Sequence, residues 1–347
     1  MRIESLYLRN FRNYDEEIVS FGSGVNLIIG NNAVGKTSLL EALYLLSTGR
    51  SFRTNHFSEL IREGTDFFHL ELSFIKDDIS QVLKLSFNRK EKEIHYNQTK
   101  YTSFTPLIGL LPSIFYHPSD VQLLMGGPQE RRRFLNIYLA QGDPLYIHHL
   151  IRYQKALRQR NELLKTKSCD AIEIWEQQMA ASATFLTKKR SFAIEHLSPL
   201  TAQMMELLTP CTESLKIKYQ PSFTPDAFTK HRSREMMLGM TLYGPHRDDL
   251  HFFLAELPIR SYASEGQKRT FIAALYFAAW EGLKEQTLTT PLLGIDDFPV
   301  HLDPVRQQQL FQRLFHFGQV FLTSPTAPSY LTGSVTLIPI EPFKIIS

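Results

Sequence analysis

The apolar run Val25–Ile29 ends in Gly30-Asn31-Asn32-Ala33-Val34-Gly35-Lys36-Thr37, and Leu39, Leu40, Ala42, Leu43 and Leu46 follow at helical spacing. The octapeptide fills the pattern GxxxxGK[ST], and its setting between a strand and a helix is the one that pattern requires. The backbone N–H groups of Gly30, Asn31, Asn32, Ala33, Val34 and Gly35 would cradle phosphates with the help of the helix N-terminus. Lys36 would reach the β- and γ-phosphates, and the Thr37 hydroxyl would bind Mg²⁺. The bland alternative is a glycine-rich turn that binds nothing. Strand, helix, lysine and threonine together speak against it.

A phosphate loop needs an acid. Leu292-Leu293-Gly294-Ile295-Asp296-Asp297 reads as an apolar strand ending in two carboxylates, and such a strand beside the loop is the usual source of the group that holds Mg²⁺ through water. Asp296 fits that role. Asp297, one residue on, would face the other way, toward an attacking water. The alternative is a solvated strand-end pair, and Gly294 is a poor strand residue. Upstream, Ala263-Ser264-Glu265-Gly266-Gln267-Lys268-Arg269 opens a helix. Ser264 would cap it, and the free N–H groups at its start form an anion site. Alone this is a plain helix cap. Its place between a phosphate loop and an acidic strand gives it weight.

The 347 residues allow about two domains. With 43% hydrophobic and 21% charged residues the chain is globular. From Phe67 to Tyr96 apolar and polar residues alternate, which predicts an antiparallel meander. Residues from about 129 to 209 are rich in helix formers. Tyr146, Leu150, Tyr153, Leu157, Asn161 and Leu164 mark one helix face, with a break over Lys165–Ser168 and a second helix from Ile172 to about Leu197. This stretch reads as a helical packing domain, or as an arm that also reaches a partner or a nucleic acid. A helix from Gln267 to about Leu283, the strand Leu292–Ile295, a helix over Val305–Phe317 and the strand Gln319–Thr323 complete the pattern. The expected organisation is an α/β domain made from both ends of the chain, residues 1–118 and 236–347, with a helical lobe, residues 119–235, inserted between them.

Composition excludes several classes. Cys169 and Cys211 stand far apart without CxxC or histidine spacing, against a disulfide framework or a cysteine-rich zinc site. Neither a signal segment at Met1-Arg2-Ile3-Glu4 nor an apolar run near the ~20 residues of a membrane span is present, so a cytoplasmic protein that avoids membranes is expected. A net charge of +3 requires any nucleic-acid surface to be local. Arg131–Arg133 and Lys188-Lys189-Arg190 read as solvated basic faces or as phosphate contacts. His246-Arg247-Asp248-Asp249 is a poor chelate, because consecutive extended residues point to both faces. No base-reading motif appears, so DNA contact should be directed at the backbone.

Phosphate loop, SxGQ helix start and Asp-Asp strand, with a long insertion between the first two, resemble the ATP-binding-cassette heads of the SMC type. Further stretches narrow the resemblance to the RecF family, SMC-like ABC-type ATPases of DNA replication and repair. Leu8-Arg9-Asn10-Phe11-Arg12-Asn13-Tyr14 is similar to the family's opening, and Gly126-Gly127-Pro128 with Arg131-Arg132-Arg133-Phe134-Leu135-Asn136 to its GxPxxRRxFLD. Tyr153, Lys155-Ala156-Leu157 and Gln159-Arg160-Asn161 are similar to YxKALxQRN, and Gly244-Pro245-His246-Arg247-Asp248-Asp249 to GPHRDD. The resemblance implies an ABC-type ATPase head, with a mixed sheet plus an antiparallel meander, carrying a helical lobe but no long coiled coil. It implies a weak, DNA-stimulated ATPase used as a switch, and an ATP-dependent head-to-head homodimer. That dimer would bind double-stranded DNA at gaps and single-strand/double-strand junctions, work with RecO and RecR to load RecA, and serve recombinational repair, the SOS response and replication-fork maintenance.

By the same resemblance Ser264, Gly266 and Gln267 would meet the γ-phosphate held by the other subunit. Lys36, Asp296 and Asp297 would be catalytic, Thr37 and Asp296 would hold Mg²⁺, and Arg12 would lie near the nucleotide. The segment His117–Gln122 would link head to lobe. The chain departs from the family after Asp297, where Phe298-Pro299-Val300-His301-Leu302-Asp303 lacks a serine and a glutamate, and at Glu265 and Lys268, where neutral residues are usual. These positions bear on dimerisation and turnover more than on ATP binding. Two other readings stay open. A transporter ATPase would carry a histidine where Thr323-Ser324 stands, and a small-molecule kinase has no reason to carry SxGQ.

Overall fold

The computed structural model describes residues 1–168, 170–209, 214–298, 304–328 and 334–341. Cys169, Cys211 and residues 299–303 lie outside the described residues. The chain divides into two units, Met1–Ser119 with Leu283–Ser347, and Asp120–Gly282.

The first unit opens with β1 (Arg2–Phe11), β2 (Tyr14–Ser20) and β3 (Val25–Ile29), followed by α1 (Lys36–Thr48). Then come β4 (Phe68–Lys76), β5 (Ile79–Phe87), β6 (Lys92–Tyr96), β7 (Thr99–Tyr101) and β8 (Ser113–Tyr116). The expected meander is present and larger than foreseen: an antiparallel sheet in the order β2-β1-β4-β5-β6-β7. Leu83 and Leu85 on β5 are buried while Lys84 and Ser86 are not, which is the alternation the sequence showed. The β4–β5 turn places Asp77 and Asp78 at φ 52° and 59°, the double left-handed geometry that keeps a tight hairpin in register with strand twist.

The second unit holds α2 (Gln122–Met125), α3 (Pro128–Gly142), α4 (Pro144–Thr166) and α5 (Ile172–Leu208), then β9 (Leu215–Gln220), α6 (Ala227–Lys230) and α7 (Arg232–Leu238). It continues through β10 (Asp249–Leu254), β11 (Leu257–Pro258), α8 (Ile259–Tyr262) and α9 (Glu265–Thr287), whose last turns cross into the first unit. Asp143 caps α4 by accepting from the Leu145 and Tyr146 N–H groups, with Pro144 at the first helical position. Two expectations need correction. Helix α5 does not stop near Leu197 but runs through Pro199 to Leu208, since buried Thr201 and Met205 hold its last turns. Residues 236–282, expected with the ATPase head, group with the helical lobe. β10 pairs with β9 over its whole length, and Arg131 of α3 binds Asp249 at the start of β10.

The chain then returns to the first unit with β12 (Leu292–Ile295), α10 (Pro304–Leu314), β13 (Val320–Ser324) and β14 (Val335–Pro339). A parallel sheet in the order β14-β3-β13-β12-β8 results. It sets the C-terminal ends of β3, β12 and β13 side by side, the edge at which open parallel sheets bind ligands. Gly294, unhelpful as a strand residue, has a reason to be there. A Cβ at that position would lie 2.1 Å from Cδ1 of Phe115 on the neighbouring strand, so the Phe115 ring occupies the space a side chain would need. The core of this unit joins both sheets through Leu39, Leu43 and Leu46 of α1, Leu70 and Leu85 of the meander, and Phe321 of β13.

Candidate functional site

Gly30 to Thr37 connect β3 to α1, as the motif requires. Gly35 stands at φ 110°, and a Cβ there would meet Asn13 Nδ2 at 2.9 Å and the Tyr14 ring at 3.0 Å, so only glycine fits. The loop is tied down from outside, because Asn13 Nδ2 donates to the Ala33 carbonyl and the Tyr14 hydroxyl to that of Gly35. Lys36 folds back across the loop and its Nζ donates to the carbonyls of Gly30 at 2.7 Å and Asn31 at 2.8 Å. Burial pulls the Lys36 pKa below the ordinary lysine value, while Asp297 and Asp296 act in the opposite direction.

The expected acid is there, but not on the neighbouring strand. β13 lies between β3 and β12, and its Thr323 fills the gap. Thr37 Oγ1 is 3.0 and 3.1 Å from the two carboxylate oxygens of Asp296, and Thr323 Oγ1 donates to Asp296 Oδ1 at 2.7 Å. His117 Nε2 stands 3.2 Å from Asp296 Oδ2, its ring set against Phe52 at 4.8 Å. Burial alone would raise the Asp296 pKa. Hydrogen bonds from His117, Thr323 and Thr37 and the His117 charge hold it below the usual carboxylate range. Asp297 turns outward at φ 59°, exposed, with its backbone N–H on Thr323 Oγ1. Thr323 and His117 are site residues that sequence reasoning did not assign; a hydroxyl directly after the apolar run Val320–Leu322 was the available signal for the first.

These groups line one cavity of about 840 Å³, in which Asn32, Ala33, Gly35, Lys36 and Thr37 face Asp296, Asp297, Thr323 and His117. Arg12 lines it too, with Arg53 and Glu59. The Arg12 guanidinium makes two parallel hydrogen bonds to fully buried Glu41 of α1, Nε to Oε2 at 2.9 Å and Nη2 to Oε1 at 2.7 Å, and a third to the Glu59 carbonyl. Ser51 also donates to Glu41, and Arg53 lies 3.7 Å from it. Arg12 is thus locked at the cavity wall, with part of its surface still open.

Ser264, Gly266 and Gln267 belong to the second unit, where they open α9. Ser264 Oγ accepts from the Gln267 N–H while Gln267 Oε1 accepts from that of Ser264, a reciprocal cap at the start of α9. Ser264, Glu265 and Gly266 are exposed, and Lys268 pairs with Glu265 at 2.9 Å.

One member of each basic run, Arg131 and Arg190, fits neither expectation, while Arg132, Arg133, Lys188 and Lys189 keep part of their surface open. Arg131 is buried on Asp249, and Arg190 is buried on Asp248 at 2.7 Å, so both cations are internal and unavailable to solvent or phosphate. Ser222 N–H and the Tyr219 hydroxyl also bind Asp248. His246 accepts at Nδ1 from the Tyr153 hydroxyl and meets the Thr241 carbonyl through Nε2. The family-like stretches of this unit therefore converge on one buried polar network, which engages the His246, Asp248 and Asp249 side chains, while Arg247 stays exposed. Among the described residues no group of three or more His, Cys, Asp or Glu side chains is arranged to hold a metal ion, and no helix is long and apolar enough to cross a membrane.

Comparison with known proteins agrees with this geometry. The family described as RecF/RecN/SMC N terminal domain matches residues 2–337. The chain is 43% identical over 344 residues to the DNA replication and repair protein RecF of Protochlamydia amoebophila (strain UWE25), covering 95% of this chain and 96% of that one. It is 37% identical over 342 residues to the protein of the same name from Chlamydia caviae, covering 94% and 93%. A solved structure of the recombination mediator protein RecF-ATP in the RecFOR pathway superposes with a TM-score of 0.90 at 30% identity, over 97% of this chain and 95% of that chain. An Smc head bound to the C-winged helix domain of ScpA, at 14% identity and TM-score 0.56, covers 95% and 91% and shares the fold.

Proposed function

The chain belongs to the RecF/RecN/SMC family and carries its ABC-type ATPase head, and on that premise we propose that it is a nucleotide-gated DNA-repair ATPase. The observation that supports this most is the convergence of Thr37 and Thr323 on one Asp296 carboxylate, in a cavity shared with Lys36. A triphosphate is a stronger acceptor than the Gly30 and Asn31 carbonyls, so Lys36 would exchange them for phosphate oxygens. The Thr37 hydroxyl and the Asp296 carboxylate are hard oxygen donors, the ligand class Mg²⁺ takes, and these two residues would hold it. When bound, that ion supplies positive charge opposite the phosphate oxygens. Asp297, exposed at the cavity wall, is placed to orient the attacking water, and Arg12 is held by Glu41 beside the nucleotide.

Hydrolysis then acts as a switch. The exposed cap of α9 offers Ser264, Gly266 and Gln267 to the γ-phosphate held by a second subunit, which gives a head-to-head dimer with ATP and not with ADP. Such a dimer would clamp double-stranded DNA at gaps and junctions, cooperate with RecO and RecR, and help load RecA in the cytoplasm. Glu265 places a carboxylate beside Ser264, and its pairing with Lys268 offsets that charge.

Lys36→Ala tests nucleotide binding, and Ser264→Arg tests the shared site. The first should lower ATP affinity by ~10–100-fold, the worth of a charge-assisted contact. The second should bind ATP as a monomer and fail to dimerise in sedimentation. Anisotropy of a labelled duplex across a salt series should show tighter binding and a steeper slope with ATP than with ADP, since each added phosphate contact adds ~0.9 to the slope. Equal affinities and slopes with ATP, ADP and no nucleotide would overturn the clamp.

A further inference from the structure

The second unit carries a groove that the ATPase reading does not use. It lies between the last two turns of α4 and the C-terminal end of α7, has a volume of about 610 Å³, and is floored in part by buried Leu164. Its apolar wall is left open to an unusual degree: Met237 is 77% exposed, Leu238 55% and Met240 43%. Folding does not need these side chains on the surface, where bulky apolar groups in a cluster mark a binding site more often than chance. Methionine is flexible and polarizable, and a methionine-lined wall adapts to apolar side chains of different shapes.

The rim sets the sign of the ligand. Arg158, Lys165 and Lys167 stand along it, all exposed. Lys165 is engaged by Glu162 at 2.8 Å, whereas the Arg158 and Lys167 side chains make no ion pair among the described residues. One carboxylate against three cations leaves the groove net positive. An apolar slot with a cationic rim complements an anionic segment that also carries apolar side chains.

We propose that this groove is a docking site for a short acidic peptide segment of another protein, with its apolar side chains against Met237, Leu238 and Met240 and its carboxylates on Arg158 and Lys167. A second copy of the chain fits less well, because a two-fold contact would bring one cationic rim against the other. A nucleic-acid backbone would satisfy the rim but leave the apolar wall without a partner, since thioethers and leucine offer no stacking face.

The test uses the full chain and fluorescently labelled synthetic peptides in which aspartates alternate with leucine and phenylalanine. Control peptides carry lysine for aspartate, or serine for the apolar residues. Anisotropy should report saturable binding of the acidic apolar peptides, weakened by salt, with both controls lower by about tenfold or more. Met237→Glu and Lys167→Glu should each lower that affinity by about tenfold or more, with circular dichroism and ATP binding as in the parent. Both positions are exposed, so the fold is not at stake. No binding at millimolar peptide, equal binding of the lysine control, or unchanged affinity in both variants overturns the proposal. So does a groove that instead proves to hold duplex DNA, or concentration-dependent self-association abolished by Met237→Glu without any peptide binding.

Discussion

Replacing Thr323 with valine keeps a β-branched side chain of the same shape and removes one hydroxyl. That hydroxyl donates to Asp296 at 2.7 Å and accepts the Asp297 backbone N–H at 2.7 Å, at a residue only 1% exposed. A hydrogen bond to a charged partner contributes about 1.5–3 kcal/mol, and an orphaned buried donor costs about 1–3 kcal/mol. Asp297 is an exposed residue, so the lower end of the second figure applies, and no cavity cost is added. A loss of about 2–4 kcal/mol is expected. The pH dependence carries a second signature. The Asp296 carboxyl is held below its ordinary value in the fold, so its contribution to stability is present above the unfolded value of 3.8 and is lost as pH falls through the lower folded one. Thr323→Val removes one of the groups that hold it down, so the variant should lose less stability than the parent as pH falls below 3.8, and that loss should end at a higher pH. Urea denaturation near neutrality and at a series of pH values down to about 3 measures both effects. Thr323→Ser, which restores the hydroxyl, should recover the pH profile. A valine variant within about 0.5 kcal/mol of the parent, with the same profile, would show that Thr323 does not hold Asp296.

Asp297→Asn should bind ATP, release phosphate slowly and accumulate the ATP-linked dimer in sedimentation; parental turnover would remove Asp297 from the hydrolytic role. Arg190→Ala strands Asp248 in the interior and should cost about 3–5 kcal/mol in chemical denaturation, without altering the residues of the nucleotide cavity. Burial pushes the His246 pKa down to about 4 from an ordinary 6.5, so the unfolded chain binds the extra proton between those values and stability should rise with pH across that window, by ~3 kcal/mol in all. His246→Gln should flatten that part of the profile, and an unchanged slope would exclude His246 as its source.

Local pattern carried the elements on which the site rests. Val25–Ile29 and Leu292–Ile295 are strands over the expected residues, because short apolar runs ended by glycine or aspartate leave few alternatives. The phosphate loop was legible since its chemistry is written in eight consecutive residues. Sequence reasoning missed what depends on residues far apart. Arg131 and Arg190 looked like surface charge because their carboxylates lie 118 and 58 positions away. Charge alone does not reveal burial. Thr323 and His117 escaped assignment for the same reason: their partner Asp296 is local to neither. The helix expected to end near Leu197 continues through Pro199 to Leu208, because tertiary packing of Thr201 and Met205 holds its last turns. The boundary expected near residue 236 failed because β10, read as part of the head, finds its ladder partner in β9.

The strand order has a consequence during synthesis. Both ladder partners of β3, β13 and β14, come from residues beyond 319, and Thr37 meets Asp296 across 259 positions. At ~5–20 residues per second a ribosome needs roughly 10–50 s to make that intervening chain. Through that interval β3 emerges as an apolar strand with both edges open, while Asp120–Gly282 is contiguous and can fold as soon as it clears the exit tunnel. The nascent protein therefore acquires its helical unit before its parallel sheet, and the phosphate loop takes its final shape only when the last strands arrive. Truncation before Val320 removes the two strands that flank β3, and so disables a loop made long before them.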